Sequence, residues 1–135
     1  MLEILQLVIS ILTGDATLTA IVPAAQILTG PVDIVMEKQA DLLYPQINVR
    51  IISEVQRSNP LATRDTQIQL DLYSRNSQLE LENIYERIIT LLAYKIANEG
   101  SAHIYWSRLN GAVDFYESDR RIWHRAMTIS VWSQK

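Results

Sequence analysis

Between residues 77 and 98 the apolar residues Leu81, Ile84, Ile88, Leu92 and Ile96 recur at the spacing of one helical face. Tyr85, Ile89 and Leu91 widen the stripe. Ser77 and Glu80 form a capping box at its start, and Asn98 and Gly100 stop it. A helix with so broad an apolar face gains most of its stability by packing on a second layer. Two segments supply that layer. After Pro45, Ile47, Val49 and Ile51 alternate with Gln46, Asn48 and Arg50. Further on, Ile68, Leu70 and Leu72 alternate with Gln67, Gln69 and Asp71. Period two marks a strand with one buried face.

The remaining segments follow the same logic. Leu2, Leu5, Ile9 and Leu12 share a helical stripe with Ile4, Val8 and Ile11 beside it. Gly14 ends this helix, and Asp15 caps a shorter one over residues 16–22, closed by Pro23. Residues 26–28 and 32–36 read as short strands around the Gly30-Pro31 turn. Three extended stretches close the chain, at 103–109, 113–117 and 121–132, with Asn110-Gly111 as a hairpin turn between the first two. The expected fold is α+β. An antiparallel or mixed sheet of about four to six strands packs against an N-terminal helix pair and one long central helix. Residues 1–135 make one domain, with a flexible loop at about 54–65 signalled by Ser58-Asn59-Pro60.

The apolar N-terminus is interrupted by Glu3, Gln6 and Ser10 and has no basic flank, so it reads as a folded helix and not as a leader. No later segment is long and apolar enough to span a bilayer, and no membrane partner is expected. The 135-residue chain has no cysteine, which removes disulfides and thiolate chemistry and fits a reducing compartment.

Motifs for catalysis are missing. The four glycines do not form a phosphate loop, and neither a nucleophile elbow nor a zincin helix is present. Glu80, Glu82 and Glu86 suit the start and outer face of the long helix better than acid–base work. His103 and His124 lack a placed third ligand, so no metal or other cofactor is expected. Trp106, Trp123 and Trp132 read as core or subunit-interface aromatics, because a chain with formal charge −3 is a poor match for nucleic acid.

Charge is unevenly spread. Residues 1–49 hold the acids Glu3, Asp15, Asp33, Glu37 and Asp41 against Lys38 alone. Residues 108–125 hold Arg108, Arg120, Arg121 and Arg125 against Asp114, Glu117 and Asp119. One end of the molecule can complement the other end of a copy, and head-to-tail contacts of that kind close rings. Arg108, Arg120, Arg121, Arg125, Asp15 and Asp33 are the expected subunit-interface residues.

The succession of elements resembles the tail terminator proteins of long-tailed phages, also called tail-completion or head–tail joining proteins. The resemblance spans nearly the whole chain. It is carried by the stretch from Gln67 through Leu72-Tyr73-Ser74 into the helix with Leu81, Ile84, Ile88 and Leu92. The strand after Pro45, the terminal Met127-Thr128-Ile129-Ser130-Val131-Trp132 and the N-terminal helix followed by Asp15 also match. Many members have a glycine–arginine–isoleucine segment after the second helix, where this chain has Gln26-Ile27-Leu28-Thr29-Gly30-Pro31.

The resemblance implies a non-enzymatic virion protein of the tail or neck, assembled in the host cytoplasm. Its members form a hexameric ring that caps the tail tube, ends tube polymerisation and joins the head. The implied partners are copies of itself, the tail tube protein and the head-completion or connector protein, with DNA only in transit through the lumen. The 54–65 loop would contact the tube through Glu54, Arg57, Asn59 and Arg64. Two readings compete with a terminator: another small connector or minor tail protein, and a homo-oligomeric small-molecule binding module with Tyr105 and Trp106 lining its pocket.

Overall fold

A computed structural model describes residues 2–29, 44–56, 63–93, 97–99, 102–118 and 121–134. Two helices open the chain, α1 (Leu2–Thr13) and α2 (Ala16–Thr19). A 3-10 turn (Ala24–Gln26) leads to β1 (Ile27–Thr29). There follow β2 (Gln46–Gln56), β3 (Thr63–Ser74), α3 (Gln78–Leu92), β4 (Ala97–Glu99), β5 (Ala102–Glu117) and β6 (Ile122–Gln134). The six strands form one sheet in the order β1-β2-β3-β6-β5-β4. β1 pairs with β2 in parallel and every other pair is antiparallel. The architecture is therefore the expected α+β fold with a mixed sheet.

The helices share one face of that sheet. Ile4, Leu7, Val8 and Leu12 of α1, Leu18 of α2, and Leu81, Ile84, Ile88 and Leu92 of α3 join a single buried cluster. The sheet contributes Ile47 and Val49 from β2, Ile68, Leu70 and Leu72 from β3, and Met127, Ile129 and Val131 from β6. Register explains the match. Val49, Leu70 and Met127 lie in one row across β2, β3 and β6, so one pleat face collects the main core residues of these three strands. Each fully buried aliphatic side chain contributes about 1.5–3 kcal/mol relative to exposure.

Several boundaries differ from the sequence reading. Helix α2 stops at Thr19, though Val22 is still buried against the core. The first strand is Ile27–Thr29, because the 3-10 turn takes up Gln26. The long helix ends at Leu92, not Asn98. Residues 97–99 instead pair with β5 at the sheet edge, where strand hydrogen bonds replace those of another helical turn. The expected hairpin at Asn110-Gly111 is a β-bulge inside β5. Leu109 opposes Ile129 and Gly111 opposes Thr128, which leaves Asn110 as the extra residue. Both halves of β5 pair with the same strand, β6, so the chain cannot reverse there. Residues 54–56 and 63–65 are strand and not loop: β2 runs to Gln56 and β3 starts at Thr63, paired through Glu54–Thr66 and Gln56–Arg64, and residues 57–62 lie outside the described residues. The expected strand at 32–36 lies outside the described residues.

Leu70→Ala removes a fully buried side chain at the centre of this layer. It should cost about 2–5 kcal/mol in urea unfolding. A loss below about 1 kcal/mol would mean the layer is not the main support of the fold.

Candidate assembly surface

Three polar clusters tie the layers together and decide which charged residues remain for a partner. The first joins α2 to α3. Asp15 accepts from the Leu18 amide at 2.8 Å, capping α2, and takes a two-pronged contact from Arg87, with Nε at 2.8 Å and Nη2 at 2.7 Å. The Arg87 guanidinium, reinforced by the Leu18 amide, outweighs partial burial and pulls the Asp15 carboxyl from 3.8 to about 2.

Arg125 organises the second cluster, on the helix side of the sheet. Its Nε and Nη2 donate to Asp114 at 2.6 and 2.9 Å, and its Nη1 donates to Glu82 at 2.6 Å. The guanidinium lies 4.6 Å from the Tyr85 ring centroid, a cation–π distance. Gln78 Nε2 adds a hydrogen bond to Asp114 at 3.0 Å. The Arg125 fork lowers the Asp114 carboxyl, and Asp114 in turn raises the Arg125 guanidinium. One buried arginine thus links β6, β5 and α3. The start of α3 departs from a full capping box. Ser77 Oγ accepts from the Glu80 amide at 3.1 Å, but the Glu80 carboxylate takes Ser74 Oγ at 2.6 Å and Asn76 Nδ2 at 2.9 Å.

The sheet face away from the helices holds the third cluster. His124 Nε2 lies 2.9 Å from Asp71 Oδ1, Gln69 Nε2 donates to the same oxygen at 3.0 Å, and Arg50 Nε is 3.7 Å from Asp71 Oδ2. Burial pushes the Asp71 carboxyl up, and the His124 and Gln69 hydrogen bonds more than offset it, so it sits below its ordinary value. Tyr73 stacks on His124 with centroids 4.3 Å apart, and burial raises its phenol. Gln67 and Asn110 both donate to Ser130 Oγ, at 2.6 and 2.7 Å. This face is a hydrogen-bonded polar ladder, and nearby exposed apolar residues line the outer strands: Ile52 and Val55 on β2, Val113 and Phe115 on β5.

The expected interface residues divide accordingly. Asp15 and Arg125 are held inside the fold by the pairs just described. Arg108 is exposed on β5, with Nε 3.3 Å from Asn110 Oδ1. Arg121 is exposed in the turn before β6, with a positive φ of 54°. Glu54 and Arg64 face each other at 3.6 Å near the ends of β2 and β3. Arg57, Asn59, Asp33 and Arg120 lie outside the described residues. His103 and His124 do not meet: His103 pairs with Asn98 on β4, whereas His124 pairs with Phe115 near the far end of β5. Trp106 and Trp132 are register partners, and Trp123 packs on Tyr116 with centroids 4.7 Å apart. Sequence reading missed the exposed apolar residues of the outer strands. Their signal was present in β2 and β5, which lack lysine and proline, the residues that usually guard an edge.

No family model matches the chain, and no curated protein matches it. Among solved structures, the fold is similar to a chain in the virion of a native gene transfer agent particle. The TM-score is 0.76, with 10% sequence identity over 95% of this chain and 92% of that one. At that identity the likeness shows a shared fold over nearly the full length of both chains.

The Asp15 pair makes a pH prediction. A carboxyl whose folded pKa is depressed stabilises the fold above its unfolded value and loses that contribution as pH falls towards the folded value. Stability should therefore drop between pH 3.8 and about 2 through Asp15. Asp15→Asn should flatten that part of the acid limb in urea midpoints measured against pH. An unchanged slope would show that other carboxylates carry it. At the second cluster, Arg125→Lys keeps the charge and loses the fork, and should lower stability by about 1–3 kcal/mol. An unchanged unfolding midpoint would show that the fork adds nothing over a point charge.

Proposed function

We propose that the chain is a structural virion protein that closes into a ring on the end of a tail tube. In this reading the ring, a hexamer by the resemblance, stops tube growth and offers a surface to the head-completion or connector protein. DNA crosses its lumen in transit. The observation that carries the reading is the full-length fold likeness to a gene transfer agent virion chain at a TM-score of 0.76. The sequence resemblance to tail terminators, made from apolar spacing and element order, supports the same class independently of that likeness. A ring subunit needs two unlike edges. The sheet has them, with β1 and β2 at one side and β5 and β4 at the other.

The end of the β2–β3 ribbon is the proposed tube contact. Glu54 and Arg64 stiffen its base, and Arg57 and Asn59 complete the contact set. Arg108, Arg120, Arg121 and Asp33 remain the charged residues proposed for subunit contacts.

Adding the purified protein to polymerising tail tubes tests the proposal. Tubes should stop at fixed length and carry an annular cap in negative stain. Arg57→Glu should weaken capping at least tenfold while far-ultraviolet circular dichroism stays the same. Continued tube growth at saturating protein would overturn the terminator reading.

A further inference from the structure

Two stretches of sheet edge are open among the described residues. β1 covers β2 only at Ile47–Val49, so among the described residues no strand lies outside residues 50–56. β4 covers β5 only at Ala102–Ile104, so among the described residues no strand lies outside residues 112–117. An open edge offers a row of backbone donors and acceptors, and what fits it is another extended strand. These two edges also expose apolar side chains: Val55 and Val113 are each 57% exposed and Phe115 is 50% exposed.

We infer that the two edges are partners for each other in neighbouring copies, with residues 112–117 of one copy adding to residues 50–56 of the next. The inference deepens the ring reading and rests on it only for closure.

Strand direction favours the pairing. Moving across the sheet from β2 through β3 and β6 to β5, each step is antiparallel, so β2 and β5 run in opposite senses. A head-to-tail neighbour therefore meets β5 with an antiparallel β2, the more stable arrangement.

Register follows from the side chains. Arg50 is half-exposed and its contact with Asp71 is long, at 3.7 Å. Glu117 carries the opposite charge on the same sheet face, at the end of β5. Placing Arg50 opposite Glu117 joins them. Ile51 then opposes Tyr116 on the helix side. The bulge already present at Ile52 absorbs one residue, so Ser53 opposes Phe115 and Val55 opposes Val113. The β2 edge is used to its end, where Gln56 meets Ala112. Glu54 would oppose Asp114, but Arg64 and Arg125 already compensate those two charges. The stagger this register demands places β1 of the neighbour beyond the end of β5, so it does not block the joint. Staggered strands in a closed ring tilt against its axis, as in any barrel.

The chain's lack of cysteine permits a clean test. The double variant Val55→Cys, Val113→Cys, treated with a short bis-maleimide, should give a ladder of covalent oligomers ending at the ring, and neither single variant should cross-link. In parallel, Val113→Lys with Phe115→Lys should weaken self-association roughly a hundredfold by light scattering. Both positions are exposed, so the melting temperature should hold. Rings that persist in the lysine variant, with no ladder, overturn the edge pairing and leave the ring reading intact. Cross-linking of Val113→Cys alone overturns it in favour of a two-fold β5–β5 contact. A wild-type oligomer that is not a ring but is lost in the lysine variant upholds the edge pairing and overturns the ring. A wild-type chain that stays monomeric at its highest soluble concentration and on tubes overturns both.

Discussion

Everything in this molecule depends on one apolar interface, the seam between α3 and the helix-side face of β3 and β6. Leu81, Ile84, Ile88 and Leu92 are buried in one cluster with Leu70, Leu72, Met127 and Ile129, and α1 joins it through Val8 beside Leu70 and Ile129. The seam fixes which pleat face is inside. Because the side-chain period of a strand is two, that choice assigns every residue of β2, β3, β5 and β6 to the helix side or the far side at once. α1 and α2 then complete a layer whose place is already set.

The polar clusters stabilise this arrangement at its margins. Arg125 stands on the core face at a position that would otherwise extend the apolar row. It is acceptable there because Asp114 and Glu82 satisfy its fork and Tyr85 covers its plane. Asp15 serves two elements with one carboxylate, capping α2 and holding α3 through Arg87. On the other face a ladder of Gln67, Gln69, Asp71, His124 and Ser130 links β3 to β6 through side-chain hydrogen bonds. Apolar exposure is left to the two outer strands. That division suits a subunit that adds neighbours edge to edge.

Some of this was legible from residues alone. The spacing of Leu81, Ile84 and Ile88 and the alternation around Val49 and Leu70 located the seam, because burial periodicity is a local property of sequence. Asp15 was readable as a cap for the same reason. Other features were not. Asn110-Gly111 carries the chemistry of a tight turn, but the same chemistry serves a bulge, and only the continuous partner strand β6 separates the two outcomes. Helix α3 had apolar spacing to continue past Leu92, and the edge of β5 claimed residues 97–99 instead. Arg125 and Asp15 looked available for a partner because charge along a sequence does not reveal which charges neutralise each other in space.

Local periodicity, caps and composition determined the class of fold, its main helices and the core residues of β2 and β3, since each depends on neighbours within a few positions in the chain. Tertiary structure alone decided the strand order, the parallel placement of β1, the fates of the arginines and the two open edges. Those depend on contacts between residues far apart in sequence, such as Arg125 with Glu82 and Arg87 with Asp15, and no local pattern encodes them.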